Sequence, residues 1–479
     1  MKKIILFCGL LILSAQIYRP LIMKAQFIED ALRYTVPNGM ITPRVANLNV
    51  AFHGISDDIG ALMYNPAGIT ISPNAEMSMG VGFTRNSAET NFFNVTDLLK
   101  SNSEFVTNIG FLSPFKVGTH NASIGIGFFQ ESDFSNNMKF DAFNPVSTLT
   151  AWEANPNNTS YNYNENMATY LNLANRNYIT PVKDSLQQNA LIQETGGLYN
   201  ITGAMAFELN DNVSIGFTLT GKWGSYGYTR GYQESDTKNK YRVYDSNFTT
   251  LDFNSLFVND TLNQSVSGFT GSVGIMTRFL DFIRAGITIK LPTWYQVTEN
   301  YSRVANATYD NGDNIGPYVN NGTTSYNITT PFVFCGGFSF YVLGLTFAAG
   351  IEYTDVTQIQ FTDATSRVMG LNSQILQYLV GQTTWGFGVE YKIPLMPVVV
   401  RSSFASTTSP YTIDIPHAYV SYFSLGGGLF LGSNIRMDLV FRWKSQSTLN
   451  TNYGTISDGS VFTLSNDNLN MGLQFTYRY

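Results

Sequence analysis

The feature that most constrains this chain is an alternation of apolar and polar residues with a period of two. In residues 468–479, every second side chain is large and apolar, and the intervening ones are mostly small or polar. Successive side chains of a strand point to opposite faces, so this period predicts β-strands. Fourteen segments of around ten residues show the pattern: 76–84, 106–114, 122–130, 200–209, 213–223, 267–279, 284–296, 327–340, 345–354, 384–393, 398–406, 418–431, 434–444 and 468–479.

The connections between these segments alternate strictly between short and long. The longest connection runs between residues 131 and 199. Outer-membrane barrels have short turns on the periplasmic side and long loops outside, and strands of about ten residues cross the hydrocarbon layer. The pattern therefore predicts an all-β protein, a 14-stranded antiparallel transmembrane β-barrel over residues 74–479. The short connections lie near 117–120, 210–212, 280–281, 342–344, 394–397 and 432–433.

Composition separates this prediction from a soluble β-sandwich. Only 13% of the residues are charged, whereas about 25% are charged in an ordinary soluble domain. Gly, Ser, Thr and Asn dominate the second face of the strands, as expected of a hydrated lumen behind a lipid-facing wall. A net charge of -6 argues against a nucleic-acid partner. The uncharged stretch 332–351 suits a membrane helix by hydropathy, but its glycines favour two strands.

The N-terminus predicts export. A basic start, Met1–Lys3, precedes an apolar core, Ile4–Ala15, that is too short to span a bilayer. We interpret residues 1–26 as a secretory signal peptide, with a retained anchor as the alternative. Its removal would leave Cys335 as the only cysteine of the mature chain, without a disulfide partner.

The sequence offers few groups for chemistry. Its three histidines, His53, His120 and His417, have no ligand-like spacing, so neither a metal site nor a cofactor is predicted. The Gly-Ser-Val-Gly sequence at 271–274 falls on a predicted strand rather than on a strand-to-helix elbow. We therefore predict no catalytic residues and a protein that is not an enzyme.

Residues 27–73 do not alternate and predict short helical turns broken by Pro and Gly. A segment of this size ahead of a barrel has room to lie inside it as a plug. Asp57 and Asp58, followed by Tyr64 and then Asn65-Pro66-Ala67-Gly68 just before the first strand, resemble the FadL/TodX family of outer-membrane hydrophobic-compound transporters. Asn-Pro-Ala-Gly alone is a weak motif, and its position before fourteen predicted strands makes the combination more specific.

The resemblance implies a fourteen-stranded barrel in the outer membrane with an N-terminal hatch at 27–73. It also implies uptake of long-chain fatty acids or related hydrophobic molecules, with outer-membrane lipid as the surroundings. Ligand would be captured by the extracellular loops, pass the hatch and leave sideways through an opening at a kinked third strand near 122–130. Gly125 and Gly127 would permit that kink or only face the lumen. The hatch or gate residues near the opening would be Asn65, Pro66, Ala67 and Gly68.

Two further groups of residues are candidate ligand contacts. Cations on the lumen face would bind the carboxylate of a ligand, or would instead pair with the protein's own Asp438, Glu390 and Glu352. These cations are Arg401, Arg436, Arg442 and Lys444. Apolar residues in the predicted loop 226–264 would capture a ligand, or the loops would pack on each other; they are Leu251, Phe253, Leu256 and Phe257. Residues 165–193 are predicted to form helices over the mouth.

Two other functions stay open at the level of sequence. A related barrel is a partner-binding component of type IX secretion, so a secretion-system role is the alternative to hydrophobic transport. An open general porin is disfavoured by the hatch-like segment.

Overall fold

The computed structural model describes residues 28–158, 162, 165–242, 252–280, 282–415, 418–453 and 460–479. The predicted signal peptide lies outside them. Short helices occur before the first strand and in the connections between strands. The α-helices are α1 (Ile28–Thr35), α2 (Pro43–Leu48), α3 (Leu149–Ala154), α4 (Met167–Tyr170), α5 (Ser366–Met369) and α6 (Leu371–Tyr378). The 3-10 helices are η1 (Asn49–Gly54), η2 (Ile59–Leu62), η3 (Pro66–Ile71) and η4 (Val356–Gln358).

The predicted 14-stranded barrel is confirmed. All pairings are antiparallel, and the last strand pairs with the first, which closes the sheet. The third, seventh, eighth and ninth crossings are each divided into two segments. The strands are β1 (Glu76–Phe92), β2 (Val95–Val117), β3 (His120–Asp133), β4 (Asn136–Asn144), β5 (Leu186–Asn210), β6 (Val213–Ser235), β7 (Phe253–Phe279), β8 (Ile283–Lys290), β9 (Trp294–Tyr309), β10 (Asn314–Thr329), β11 (Val333–Val342), β12 (Leu345–Thr354), β13 (Gln360–Thr362), β14 (Gln382–Lys392), β15 (Val398–Thr407), β16 (Val420–Leu431), β17 (Ile435–Thr451) and β18 (Val461–Arg478).

The outer surface of the barrel carries an apolar belt. On β1, Met77, Met79 and Val81 are exposed by 58%, 51% and 46%, whereas Ser78 between them is buried on the inner face. The same alternation recurs on the neighbouring strand β18. Exposed apolar side chains in a continuous band need a hydrocarbon solvent, so this is a barrel of the outer-membrane type.

No helix in the described part of the chain is long and apolar enough to cross a membrane.

The structure confirms the short turns and corrects the loops. Strands end and restart on either side of every predicted short connection, as at Val117 and His120. The strands are longer than the alternation indicates: β7 has 27 residues and begins at Phe253, inside the predicted loop 226–264. Likewise only α4 is helical within 165–193, and β5 already begins at Leu186. Beyond the belt the outer face of β7 is mostly polar, and the buried inner face carries Leu256, Val258 and Leu262, so the apolar residues change face while the ladder continues.

Residues 28–72, called the hatch from here on, lie inside the barrel. Helix α2 contacts β14 to β18, η1 contacts β8, β11, β12, β14 and β15, and η3 contacts β2, β3, β5, β6 and β7. A segment that touches strands on all sides of a closed sheet occupies its lumen. Most hatch side chains are buried, and η1, η2 and η3 share one apolar cluster with the inner wall.

Candidate functional site

The motif Asn65–Gly68 joins the hatch to the wall. Asn65 Oδ1 accepts a hydrogen bond from the Ala67 amide (3.1 Å) and so caps η3, while its Nδ2 donates to the carbonyl of Ile275 on β7 (3.1 Å). Pro66 occupies the first turn of η3, where its missing N–H costs nothing. A Cβ on Gly68 would lie 2.0 Å from the Ser56 carbonyl oxygen. The motif is therefore a compact turn that only these small residues allow.

A network of buried charges fixes the other side of the hatch. Asp58 is 1% exposed and accepts hydrogen bonds from Arg44 (2.9 Å) and Arg436 (3.2 Å). Burial raises the pKa of Asp58, but these two guanidinium groups lower it below its ordinary value. Arg44 also pairs with Glu390, at 3.1 Å. Two charges of the hatch, on Arg44 and Asp58, are thus paired with two charges of the wall, on Glu390 and Arg436.

Two of the four predicted lumen cations belong to this network. Arg401 pairs with Glu390 (2.5 Å) and with Asp438 (2.6 Å). Arg436 pairs with Asp438 (2.7 Å) as well as with Asp58. The prediction that lumen cations pair with Asp438 and Glu390 is confirmed for these two arginines.

The ladder between the second and third crossings is incomplete. Strands β2 and β3 pair only from Val117↔His120 to Asn108↔Phe129. Beyond this point residues 95–106 of β2 pair with β1 alone. Val106, just past the end of the β2–β3 ladder, lies opposite Val81 of the apolar belt. The gap in the wall therefore begins within the membrane-facing belt.

The third crossing bends away from β2 at residues 130–135. Its register with β5 shifts between Gln130 and Ser132, and β4 begins only at Asn136. Strand β4 then crosses the inner side of β1, where Asn86 Nδ2 donates to the Ser135 carbonyl and Thr90 Oγ1 donates to that of Lys139. These side-chain hydrogen bonds attach the third crossing to β1 where its backbone pairing with β2 is missing.

The hatch holds this bend. The Gly39 amide donates to the Glu131 carbonyl (3.0 Å), and the Asp133 amide donates to Asn38 Oδ1 (3.1 Å). Across the lumen, Lys222 of β6 donates to Glu131 Oε1 at 2.7 Å. Movement of residues 38–39 therefore changes the support of the bend.

The predicted position of the kink needs correction. Gly125 and Gly127 lie on a regular part of β3, and a Cβ on either would come within 4 Å of Leu62 of the hatch. These glycines make room for the hatch, and the bend follows them. Asn65 donates to β7, whereas Asn38 and Gly39 are the hatch residues that hydrogen-bond to the bend, and a gate role for Asn65–Gly68 stays a prediction.

A cavity of about 220 Å³ lies between the hatch, the bend and strands β1, β17 and β18. It contains the other two predicted cations. Arg442 donates to Asn470 Oδ1 (3.2 Å) and to the Gly39 carbonyl (3.3 Å), and Lys444 has no hydrogen-bond partner within the described ranges. Neither cation has a carboxylate within 4.0 Å among the residues described, which distinguishes them from Arg401 and Arg436. The lining residues are Arg33, Asn38, Gly39, Met40, Thr84, Asn86, Phe105, Asp133, Phe134, Ser135, Asn136, Glu194, Tyr226, Arg442, Lys444, Gln446, Asn466, Asn468 and Asn470.

The extracellular mouth is filled by an apolar cluster. Helices α3 and α4 contribute Leu149, Trp152 and Met167, which pack with aromatic residues of the strand tips such as Phe92 and Phe140. The interpretation that the apolar residues of the loops pack on one another is confirmed by this cluster.

The predicted capture residues divide between inside and outside. Leu251 lies outside the described residues. Phe253 and Leu256 are buried in the mouth cluster, and only Phe257 is exposed, by 47%. All three belong to β7 rather than to a loop, because pairing with β9 extends to Phe253. Ligand capture by this group stays a prediction.

The fold and the site together define an outer-membrane barrel with a plugged lumen and a gap in its wall. No protein-family model and no curated protein matches the sequence. Among solved structures, a FadL homologue from Pseudomonas aeruginosa superimposes with a TM-score of 0.56 at 12% identity, covering 92% of this chain and 99% of that one.

Two toluene transporters also superimpose on this chain. TodX of Pseudomonas putida gives a TM-score of 0.53 at 10% identity, covering 93% of this chain and 99% of that one. TbuX of Ralstonia pickettii gives 0.52 at 11% identity, covering 91% and 98%. This chain has the fold of the FadL and TodX transporters, so the resemblance predicted from sequence is confirmed for the fold.

Proposed function

We propose that this protein transports hydrophobic small molecules across the outer membrane and releases them sideways through the gap beside the third crossing. The observation that carries the proposal is the end of the β2–β3 ladder at Asn108 and Phe129. A barrel wall is normally continuous, because unpaired backbone groups are costly in hydrocarbon. An interruption inside the apolar belt gives an apolar molecule a path from the lumen into the membrane, where its burial is favourable.

The cavity behind the gap supports a finer statement about the ligand. Arg442 and Lys444 bring two cations to one wall of the cavity without a carboxylate partner among the described residues. A charge-assisted hydrogen bond is strong where little water screens it. The ligand is therefore an amphipathic molecule with an anionic head group, such as a long-chain fatty acid. Its head contacts Arg442 and Lys444 while its apolar tail reaches the gap.

The first test fills the cavity at the bend. Ser135 lies in the bend, next to β1, and lines the cavity. The indole introduced by Ser135→Trp would therefore occupy much of the cavity volume of about 220 Å³. We expect uptake of a labelled long-chain fatty acid by cells lacking their own transporter to fall about tenfold, which corresponds to an added barrier of about 1.4 kcal/mol. Asn121→Trp, at the exposed start of β3, is the control. Undiminished uptake by folded Ser135→Trp protein would contradict release through this gap.

The second test asks whether the ligand carries a negative charge. Lys444→Gln removes one cation of the cavity at similar length, and a hydrogen bond to a charged group contributes about 1.5–3 kcal/mol. Fatty-acid binding should weaken by about tenfold to a hundredfold, measured by calorimetry, while binding of the alcohol of equal chain length should not change. Lys116→Gln, on the exposed end of β2, is the matched control. An equal loss for acid and alcohol would contradict head-group recognition by Lys444.

A further inference from the structure

A histidine, a cysteine and a carboxylate converge where the hatch meets β11 and β12. His53 belongs to η1, Cys335 to β11 and Glu352 to β12, and one ligand atom from each lies within 4.8 Å of the other two. His53 Nε2 is 3.5 Å from Glu352 Oε2, and Cys335 Sγ is also 3.5 Å from that oxygen. Nitrogen, sulfur and oxygen donors thus surround one point.

The imidazole of His53 is buried without a hydrogen bond. Its residue is 0% exposed, and neither Nδ1 nor Nε2 has a hydrogen-bond partner among the described residues. A buried polar group left in this state costs about 1–3 kcal/mol. The ring packs against that of Tyr64, with centroids 4.8 Å apart, and Nε2 is within 4.0 Å of the Glu352 carboxylate. The His53 imidazole is therefore part of the same cluster as the Cys335 thiol and the Glu352 carboxylate.

Close packing of backbones fixes the position of His53. Ser339 Oγ donates to the Gly54 carbonyl at 2.7 Å. A Cβ on Gly54 would lie 2.4 Å from the Phe338 backbone, and one on Gly337 would lie 2.5 Å from the Gly54 nitrogen. Because η1 rests directly on β11, the imidazole is held in place relative to both strands. Such pre-positioning is what a metal site requires.

We propose that His53, Cys335 and Glu352 bind one divalent metal ion of the zinc type, which pins the hatch to the barrel wall. Zinc accepts imidazole, thiolate and carboxylate ligands in one tetrahedron, at about 2.0–2.3 Å from the metal. Ligands at these lengths are about 3–4 Å apart, and two of the three separations are already 3.5 Å. Calcium and magnesium are excluded by the thiol and imidazole, which they do not favour. A water molecule completes the tetrahedron.

Lys290 sets the charge balance of the site. Its Nζ donates to Glu352 Oε2 at 3.1 Å. When the metal binds, the Cys335 thiol loses its proton to solvent, so that one thiolate and one carboxylate offset the two charges of the ion. Lys290 remains as an outer partner that orients the carboxylate and moderates the affinity.

Spacing along the sequence gives no sign of this site, because each ligand comes from a different element. The expectation of no metal rests on the wide separation of the histidines in the sequence, whereas folding brings His53 to a thiol. The proposal is independent of hydrophobic transport, since it concerns only how the hatch is attached.

The test is metal binding by the full barrel, folded in detergent and stripped with a chelator. We expect calorimetry to give one equivalent of bound Zn²⁺, and Co²⁺ to give a thiolate charge-transfer band. Cys335→Ser, which is almost isosteric, and His53→Ala should each lower the affinity at least about tenfold. His120→Ala, at the exposed start of β3, is the control and should bind as the parent protein does.

The heat-dependent electrophoretic shift of barrel proteins shows whether each variant is folded. If His53→Ala does not fold, Cys335→Ser alone carries the comparison. Absence of binding by the parent protein, or Zn²⁺ affinity and a Co²⁺ band that survive Cys335→Ser, would overturn the proposal. Loss of binding in His120→Ala would place the metal elsewhere and would also overturn it.

Discussion

Asp58→Ala should release the hatch from the wall and let the barrel conduct ions. The carboxylate of Asp58 is held by Arg44 of the hatch and Arg436 of β17, and its Oδ1 accepts the Gly60 amide at 2.9 Å, which caps η2. Removing one partner of a buried ion pair leaves the other charges uncompensated and costs about 3–5 kcal/mol. The loss falls on the contact between hatch and wall, so the hatch loosens before the sheet does.

Single-channel recordings in planar bilayers measure this effect directly. We expect the parent protein to be closed and Asp58→Ala to open frequently, with a lower temperature for loss of the heat-resistant electrophoretic band. Asp58→Asn, which keeps the volume but not the charge, should show most of the effect. Lys139→Ala is the control, because its ion pair with Asp97 is exposed (45% for the lysine side chain) and such pairs contribute about 0–1 kcal/mol. A closed channel with unchanged thermal stability in Asp58→Ala would contradict the anchoring role.

The barrel could be predicted from sequence because hydrocarbon and lumen act on alternate residues of each strand. All six short turns fall where the alternation stops, as at Val342 and Leu345. The upper parts of the strands escaped prediction for the same reason. Residues of β7 from Phe253 to Val266 are in the ladder, yet their buried apolar side chains, among them Leu256, Val258 and Leu262, lie on the inner face instead of the lipid-facing one.

The site was predicted less completely, because it depends on which distant residues meet. The lumen positions of Arg401, Arg436, Arg442 and Lys444 follow from alternation, but their partners do not. Arg401 and Arg436 meet carboxylates of β14, β17 and the hatch, whereas Arg442 and Lys444 face the cavity. The bend at 130–135 carries no proline or glycine that would mark it. It arises from contacts with the hatch, which a local pattern cannot contain.

Gly350→Val should push the hatch away from the barrel wall, on the side of the lumen opposite to the bend at 130–135. Gly350 lies on β12, where a Cβ would be 2.0 Å from the carbonyl oxygen of Val50 in η1. The obstructing atom is backbone, so no side-chain rotation relieves the clash. Overpacking of this kind costs about 1–3 kcal/mol. We expect Gly350→Val to lower the thermal stability and to open the channel.

The control is Gly203→Val on β5, where nothing lies within 4 Å of the added Cβ. That variant should be closed and as stable as the parent protein. If Gly350→Val behaved in the same way, the backbone of η1 would have to be free to move off β12, and the tight docking of the hatch would be contradicted.

Combining Asp58→Ala with Gly350→Val tests whether the hatch acts as one unit. The two substitutions act on different elements of the hatch, so independent local effects would add to within about 0.5 kcal/mol. Helices η1, η2 and η3 share one apolar cluster, however, and displacement of one removes the contacts of the others. We therefore expect the double variant to be little less stable than the worse single variant, measured from the same thermal transitions. Full additivity would show that the charged anchor and the η1 contact hold separate parts of the hatch.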